Sequence, residues 1–131
     1  MDDPVSLLRA SRRIAVVGCS ATPGKDAHDI PKHLLARGYD VIPVNPSASE
    51  IFGLKAYRTL AEVPGPIDLV NVFRPASEAA AIARQAADVG AKGIWLQSGL
   101  RSPEAEAIAR EHGLRYVEDS CVRVVSGYVA H

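Results

Sequence analysis

Short apolar runs alternate with segments of helical periodicity along the chain, and this alternation restricts the fold more than any other feature. Ile14-Ala15-Val16-Val17 is a β-rich run that ends at Gly18. It reads as a strand buried on both faces. Ala27, Ile30, Leu34 and Leu35 follow at helical spacing, and Gly38 stands where a C-terminal glycine would. Pro31 fits that helix only near its first turn, where a missing N–H is not needed. Val41-Ile42-Pro43-Val44 is a second strand, and Pro43 puts it near a sheet edge. Residues 47–66 form a mixed connection with a short helix around Leu60. Residues 67–73 are a third strand. Ser77 then caps a helix bearing Ala79, Ile82, Ala83 and Ala86 on one face. Residues 93–97 are a fourth strand, Ser102-Pro103-Glu104 opens another helix, and Arg115-Tyr116-Val117 is a short fifth strand. The tail carries one more β-like run, Val122 to Val125.

Strands that alternate with helices predict a mostly parallel five-stranded sheet covered on both sides, a Rossmann-like three-layer α/β/α architecture. A length of 131 residues suits one domain spanning 1–131, and the reading finds no repeat or linker. Fifteen basic residues balance fifteen acidic ones. A neutral chain gives no reason to expect nucleic acid or an anionic membrane as partner, so an anionic ligand must be held by local geometry. No apolar stretch approaches the ~20 residues needed to span a bilayer. Met1 to Arg13 has Asp2 and Asp3 and no apolar run, unlike a signal peptide. Two cysteines, Cys19 and Cys121, make neither a disulfide framework nor a metal spacing, and the expected setting is the cytoplasm with reduced thiols.

In an open parallel sheet, ligands bind beyond the carboxyl ends of the strands, where the strand order reverses. The informative residues are therefore those just after each strand. Gly18 lets backbone approach a pyrophosphate, the following helix offers free N–H groups, and Lys25 adds a charge. Two nucleotide motifs nearly fit here. The dinucleotide fingerprint needs glycine at positions 20 and 23, which are Ser20 and Pro23, and Asn45-Pro46 stands where a ribose-binding acid belongs. The P-loop pattern fails by one residue between Gly18 and Gly24-Lys25, and Asp26 replaces the hydroxyl that would hold Mg²⁺. Both mismatches disfavour NAD and ATP.

Val17-Gly18-Cys19-Ser20-Ala21-Thr22-Pro23 resembles the V-G-x-S-x-x-P opening of the small stand-alone CoA-binding proteins, themselves similar to the N-terminal domain of the succinyl-CoA synthetase α subunit. Gly38-Tyr39 with Val44-Asn45-Pro46, Val72-Phe73-Arg74-Pro75, Trp95-Leu96-Gln97-Ser98-Gly99 and Asp119-Ser120-Cys121 follow in the family's order. The resemblance implies a domain that binds coenzyme A or an acyl-CoA without a reaction of its own. It implies Gly18, Cys19, Ser20 and Lys25 at the phosphates, Thr22 among the cofactor-binding residues, and Asn45 and Pro46 by the adenosine. Phe73, Arg74 and Pro75 become a second wall, with Gln97, Ser98 and Gly99 towards the pantetheine. Cys121 belongs to the family motif and is placed near the ligand thiol. The chain departs from the family at Val125, where a carboxylate usually follows the tail cysteine by four residues.

Several of these residues also have ordinary structural readings. Arg74 suits a phosphate or a neighbouring surface carboxylate. Gln97 suits a pantetheine amide or the backbone of its own loop. Cys19 reads more as packing than as a reactive thiol, His28 more as solvated than as ligand-facing, and Trp95 as core. His28, His33, His112 and His131 have no metal spacing. Two functions lead this reading, beside a third, an interaction protein whose ligand pocket is vestigial. One is a non-catalytic CoA-binding carrier or regulatory module, with an exposed tail strand or helix face available for a homodimer. The other is a small NAD(P)-dependent oxidoreductase or another nucleotide-using enzyme.

Overall fold

The structure, a computed structural model, describes residues 1–129. The expected strands form at Arg13–Val17 (β1), Asp40–Val44 (β2), Leu69–Val72 (β5), Gly93–Leu96 (β6) and Arg115–Val117 (β7), and all of them pair in parallel. Between β2 and β5 the chain adds a short antiparallel hairpin, Glu50–Ile51 (β3) with Leu54–Lys55 (β4). The short helix expected near Leu60 is a 3₁₀ turn at Leu60–Glu62.

The five-stranded sheet runs β2-β1-β5-β6-β7. The chain leaves β1 towards β2 on one side and later returns to β5 on the other, so the order reverses between β1 and β5. Pro43 lies in β2, an edge strand as expected. The outer side of β2 is bridged by Tyr57, whose N–H donates to the Pro43 carbonyl at 3.0 Å and whose carbonyl accepts from Asn45 N–H at 2.8 Å. At the opposite edge, Asp2 N–H donates to the Tyr116 carbonyl at 2.8 Å, and Asp2 Oδ2 accepts from Tyr116 N–H at 2.7 Å.

Helices cover both faces because the strands of the five-stranded sheet bury residues on both sides. Ala79–Asp88 (α3) and Pro103–Glu111 (α4) bury Ile82, Ala83, Ala86, Ile108 and Ala109 against Ala15, Val70, Val72, Ile94 and Leu96. Pro4–Arg9 (α1), Asp26–Ala36 (α2) and Val122–Ser126 (α5) cover the other face, with Leu7, Leu8, Ile30, Leu34 and Val122 on Ile14, Val16, Leu69 and Trp95. α4 starts as predicted with Pro103 first in the helix, and Ser102 caps it, accepting from Ala105 N–H at 3.1 Å. No helix among the described residues is long and apolar enough to cross a membrane.

Three local expectations are corrected, and one unassigned element is added. The tail run Val122–Val125 is helical, not extended. Its β-branched residues favour a strand, but Val122 is fully buried and its N–H is taken by Gln97 Oε1 at 3.0 Å, so tertiary contacts override propensity. The segment before β1 contains α1, a helix built on Pro4 and the buried pair Leu7 and Leu8. Ser77 is not a cap: Glu78 N–H bonds the Pro75 carbonyl at 2.9 Å, which closes a 3₁₀ turn at Ala76–Glu78 just ahead of α3. Pro31 lies inside α2, beyond its first turn.

One carboxylate anchors the entry to the sheet. Asp68 Oδ2 accepts the N–H groups of Arg12 and Arg13, each at 2.9 Å, with Lys92 Nζ 3.6 Å from Oδ1. Burial pushes this carboxyl up, but the Arg13 and Arg12 N–H groups and the Lys92 charge outweigh it and hold Asp68 below the usual carboxylate range. A depressed folded-state pKa gives stability that is present above the unfolded pKa, ~3.9, and is lost as pH falls through the folded value. Asp68→Asn is therefore expected to be less stable than wild type at pH 7, by about 1–2 kcal/mol. The gap should narrow below about pH 4, as read by urea denaturation at several pH values. A gap independent of pH would show that the charge on Asp68 is not what matters.

Candidate functional site

A cleft of about 680 Å³ opens at the carboxyl ends of β1, β2 and β5, where the strand order reverses. Gly18, Cys19, Ser20, Lys25, Asn45, Pro46, Phe73 and Arg74 all line it. Of the remaining residues singled out in the sequence, Thr22 and Pro75 flank this group without lining the cleft, and Gln97, Ser98, Gly99 and Cys121 gather at the end of β6 and the start of α5.

The loop after β1 is fixed by its neighbours. Gly18 adopts φ +88°, in the region that favours glycine, and its N–H donates to the Val44 carbonyl at 3.1 Å. Asn45 Nδ2 donates to the Cys19 carbonyl at 2.8 Å, while Asn45 Oδ1 accepts from Ser47 and Ala48 N–H at 2.7 and 2.9 Å. One side chain thus joins the β1 loop to the turn after β2. Ser20 N–H donates to the Ala27 carbonyl at 2.9 Å, Ser20 Oγ accepts from Thr22 N–H at 3.1 Å, and the Ser20 carbonyl lies 2.8 Å from His28 Nδ1. The N–H groups of Cys19 and Ala21 find no partner among the described residues. Unengaged N–H groups beside a helix N-terminus suit an anion.

The charges of the cleft are unevenly committed. Lys25 and Arg58 have no carboxylate within ion-pair reach among the described residues. Arg74 is held by Glu78, with Nη2 2.7 Å from Oε2 and Nε 3.2 Å from Oε1. That hydrogen bond and charge raise the Arg74 pKa and lower that of Glu78. Of the two readings open to Arg74, the structure displays the carboxylate pair, while the side chain still lines the cleft.

His28 is buried, not solvated: its ring packs 4.7 Å from that of Phe52 and holds the Ser20 carbonyl. Trp95 is core, fully buried, with Nε1–H donating to the Ser120 carbonyl at 2.8 Å. Gln97 serves its own surroundings, since Oε1 accepts from Asn71 Nδ2 at 3.2 Å as well as from Val122 N–H. Gly99 N–H donates to Asp119 Oδ1 at 2.7 Å. His131 lies outside the described residues, and among those described no cluster of histidine, cysteine and carboxylate could hold a metal.

The two thiols differ. Cys19 is fully buried, and burial pushes its pKa up to about 12, which fits packing and not reactivity. Cys121 is half-buried at the start of α5. A thiol reagent at pH 8 is expected to label Cys121 in the native protein and Cys19 only on unfolding. Fast native labelling that persists in Cys121→Ser would contradict this.

With the geometry in place, comparison with known proteins decides the family. A family model described as "CoA binding domain" matches residues 12–126, from the entry to β1 through α5. The chain belongs to the CoA binding domain family. It is 40% identical over 118 residues to YneT, an uncharacterised protein of Bacillus subtilis, with 90% of this chain and 87% of that protein covered. It is 30% identical over 126 residues to the alpha subunit of an ADP-forming acetate–CoA ligase II of Pyrococcus furiosus. That alignment covers 88% of this chain but 28% of the ligase subunit, so the chain matches just over a quarter of that relative. A solved hypothetical protein from Pyrococcus horikoshii superimposes with a TM-score of 0.92 at 35% identity, covering 97% of this chain and 89% of that one.

The family supports CoA binding at the level of the domain. This CoA binding domain has further cleft residues that the sequence reading did not single out, notably Arg58 and Thr59 on the connection after β4 and Gln85 on α3. Arg58 follows Tyr57, whose bridge to β2 brings this stretch to the cleft. No local pattern around Arg58 announces that contact.

Proposed function

We propose that the protein binds coenzyme A or an acyl-CoA in the cleft at the ends of β1, β2 and β5, and that it acts as a binding, carrier or regulatory module without a reaction of its own. The observation that carries this reading is that the family match encloses every residue lining an anion-suited cleft at the sheet's switch point. Lys25, Arg58 and the N–H groups of Cys19 and Ala21 supply attraction for a diphosphate. Val17, Val44, Leu60, Phe73 and Ile82 supply apolar wall. The lack of catalysis is supported by the same residues. Glu78, the one carboxylate lining the cleft among the described residues, is paired with Arg74, and the Cys19 thiol is held protonated by burial.

The dinucleotide alternative finds less support. Ser20 and Pro23 replace the two further glycines, and Asn45 commits its side chain to two loops where a ribose acid would stand. Titration calorimetry with CoA, 3′-dephospho-CoA, acetyl-CoA, NAD⁺, NADP⁺ and ATP tests the choice. CoA or acetyl-CoA should bind, and Lys25→Ala and Arg58→Ala should each weaken binding ~5- to 10-fold, the loss of one charge-assisted contact. The affinity should also become less salt-dependent. Heat from NAD⁺ or NADP⁺ with none from CoA would replace this reading by the oxidoreductase.

A further inference from the structure

Pro31 is buried in the interior of α2. Proline is the residue least suited to that place, because it has no N–H and its ring pushes against the carbonyl four residues earlier. That carbonyl belongs to Ala27, and it accepts Ser20 N–H from the β1 loop at 2.9 Å. The Ser20 N–H shares its peptide group with the Cys19 carbonyl, which accepts from Asn45 Nδ2 at 2.8 Å. One peptide plane is therefore gripped on both sides, by α2 and by the turn after β2. The next carbonyl, that of Ser20, faces His28 Nδ1 on the same helix at 2.8 Å.

We propose that Pro31 is a positioning residue of the β1 loop: by withholding a helix N–H from the Ala27 carbonyl, it reserves that carbonyl for Ser20. The Cys19–Ser20 peptide is then fixed in the orientation that leaves the N–H groups of Cys19 and Ala21 unengaged for an anion. A residue other than proline at position 31 would supply an N–H in line with the Ala27 carbonyl and compete with Ser20 for it. The proline's defect within the helix is thus the feature that joins the helix to the loop. The inference rests on the reading that this cleft binds CoA.

Pro31→Ala restores the missing N–H and improves the helix. It is expected to unfold at the same temperature as wild type or higher, yet to bind CoA ~3- to 10-fold more weakly, the loss of about one hydrogen bond's net worth in loop order. In the ligand-free protein the Ser20 amide should exchange with deuterium faster than in wild type. A chain carrying L-lactic acid at position 31, whose ester has neither ring nor N–H, should bind CoA like wild type. Unchanged affinity in Pro31→Ala, a loss of affinity accompanied by a lower melting temperature, or an ester chain as weak as the alanine variant would each overturn the proposal. Failure of the CoA reading would show separately, as absence of CoA binding by wild type. Exchange at Ser20 is read without ligand, and an unchanged rate in Pro31→Ala would overturn the positioning role even then.

Discussion

Gly18→Val is expected to abolish CoA binding in calorimetry while leaving a folded but weakened protein. Gly18 has φ +88°, which a β-branched residue adopts only with strain. A Cβ built there lies 3.0 Å from Arg74 Cδ and 3.3 Å from the Phe73 carbonyl carbon. The arginine side chain can give way, but the backbone of the β5 loop cannot do so cheaply. Strain of this kind costs about 1–3 kcal/mol, visible as a lower urea midpoint. Binding suffers more than stability because relief must come from moving the β1 loop or the β5 loop, both of which line the cleft. Gly18→Ala should show the same pattern at smaller amplitude. Retention of wild-type CoA affinity by Gly18→Val would remove the β1 loop from the site.

Trp95→Ala is expected to have the largest effect on stability, about 3–5 kcal/mol. Such a loss is a large part of the ~5–15 kcal/mol that holds a domain together. Trp95 is fully buried among Ile14, Val16, Leu69 and Val117 under the helices of its face, and its N–H holds the Ser120 carbonyl just before α5. Removing the indole leaves a cavity and also releases the tail. Trp95→Phe separates the two effects: it keeps most of the volume and leaves the Ser120 carbonyl without its donor, for about 1–3 kcal/mol. Guanidinium unfolding of both variants, followed by circular dichroism, reads the difference. If Trp95→Phe were as unstable as Trp95→Ala, the tail contact and not the core would dominate.

The strands were legible because burial on both faces leaves continuous apolar runs such as Ile14–Val17 and Ile94–Leu96, which no helix of this length would need. Pro43 placed its strand at an edge for a reason local to one residue, its missing donor, and Ser102-Pro103 marked a helix start in the same way. The failures arose where distant contacts decide. Val122–Val125 reads as a strand until Gln97, at the end of β6, takes the Val122 N–H. Pro31 reads as a breaker until the Ala27 carbonyl it frees is seen to meet Ser20, well before it in the chain. In the cleft, residues that directly follow β1, β2 and β5 could be named from the chain, since a parallel sheet brings those ends together. Arg58 could not, because it reaches the cleft through Tyr57's bridge to β2.

The two borders of the sheet have a consequence for how copies of this protein can meet. Open strand borders are templates on which further chains add and grow into aggregates. Here Tyr57 occupies the outer side of β2, where Pro43 has no donor to offer, and Asp2 occupies both groups of Tyr116 on the outer side of β7. At these positions neither flank presents a free ladder. A strand added along the full border of either edge would first have to unfasten Tyr57 or Asp2, which sets a barrier to growth of a continuous β-fibre.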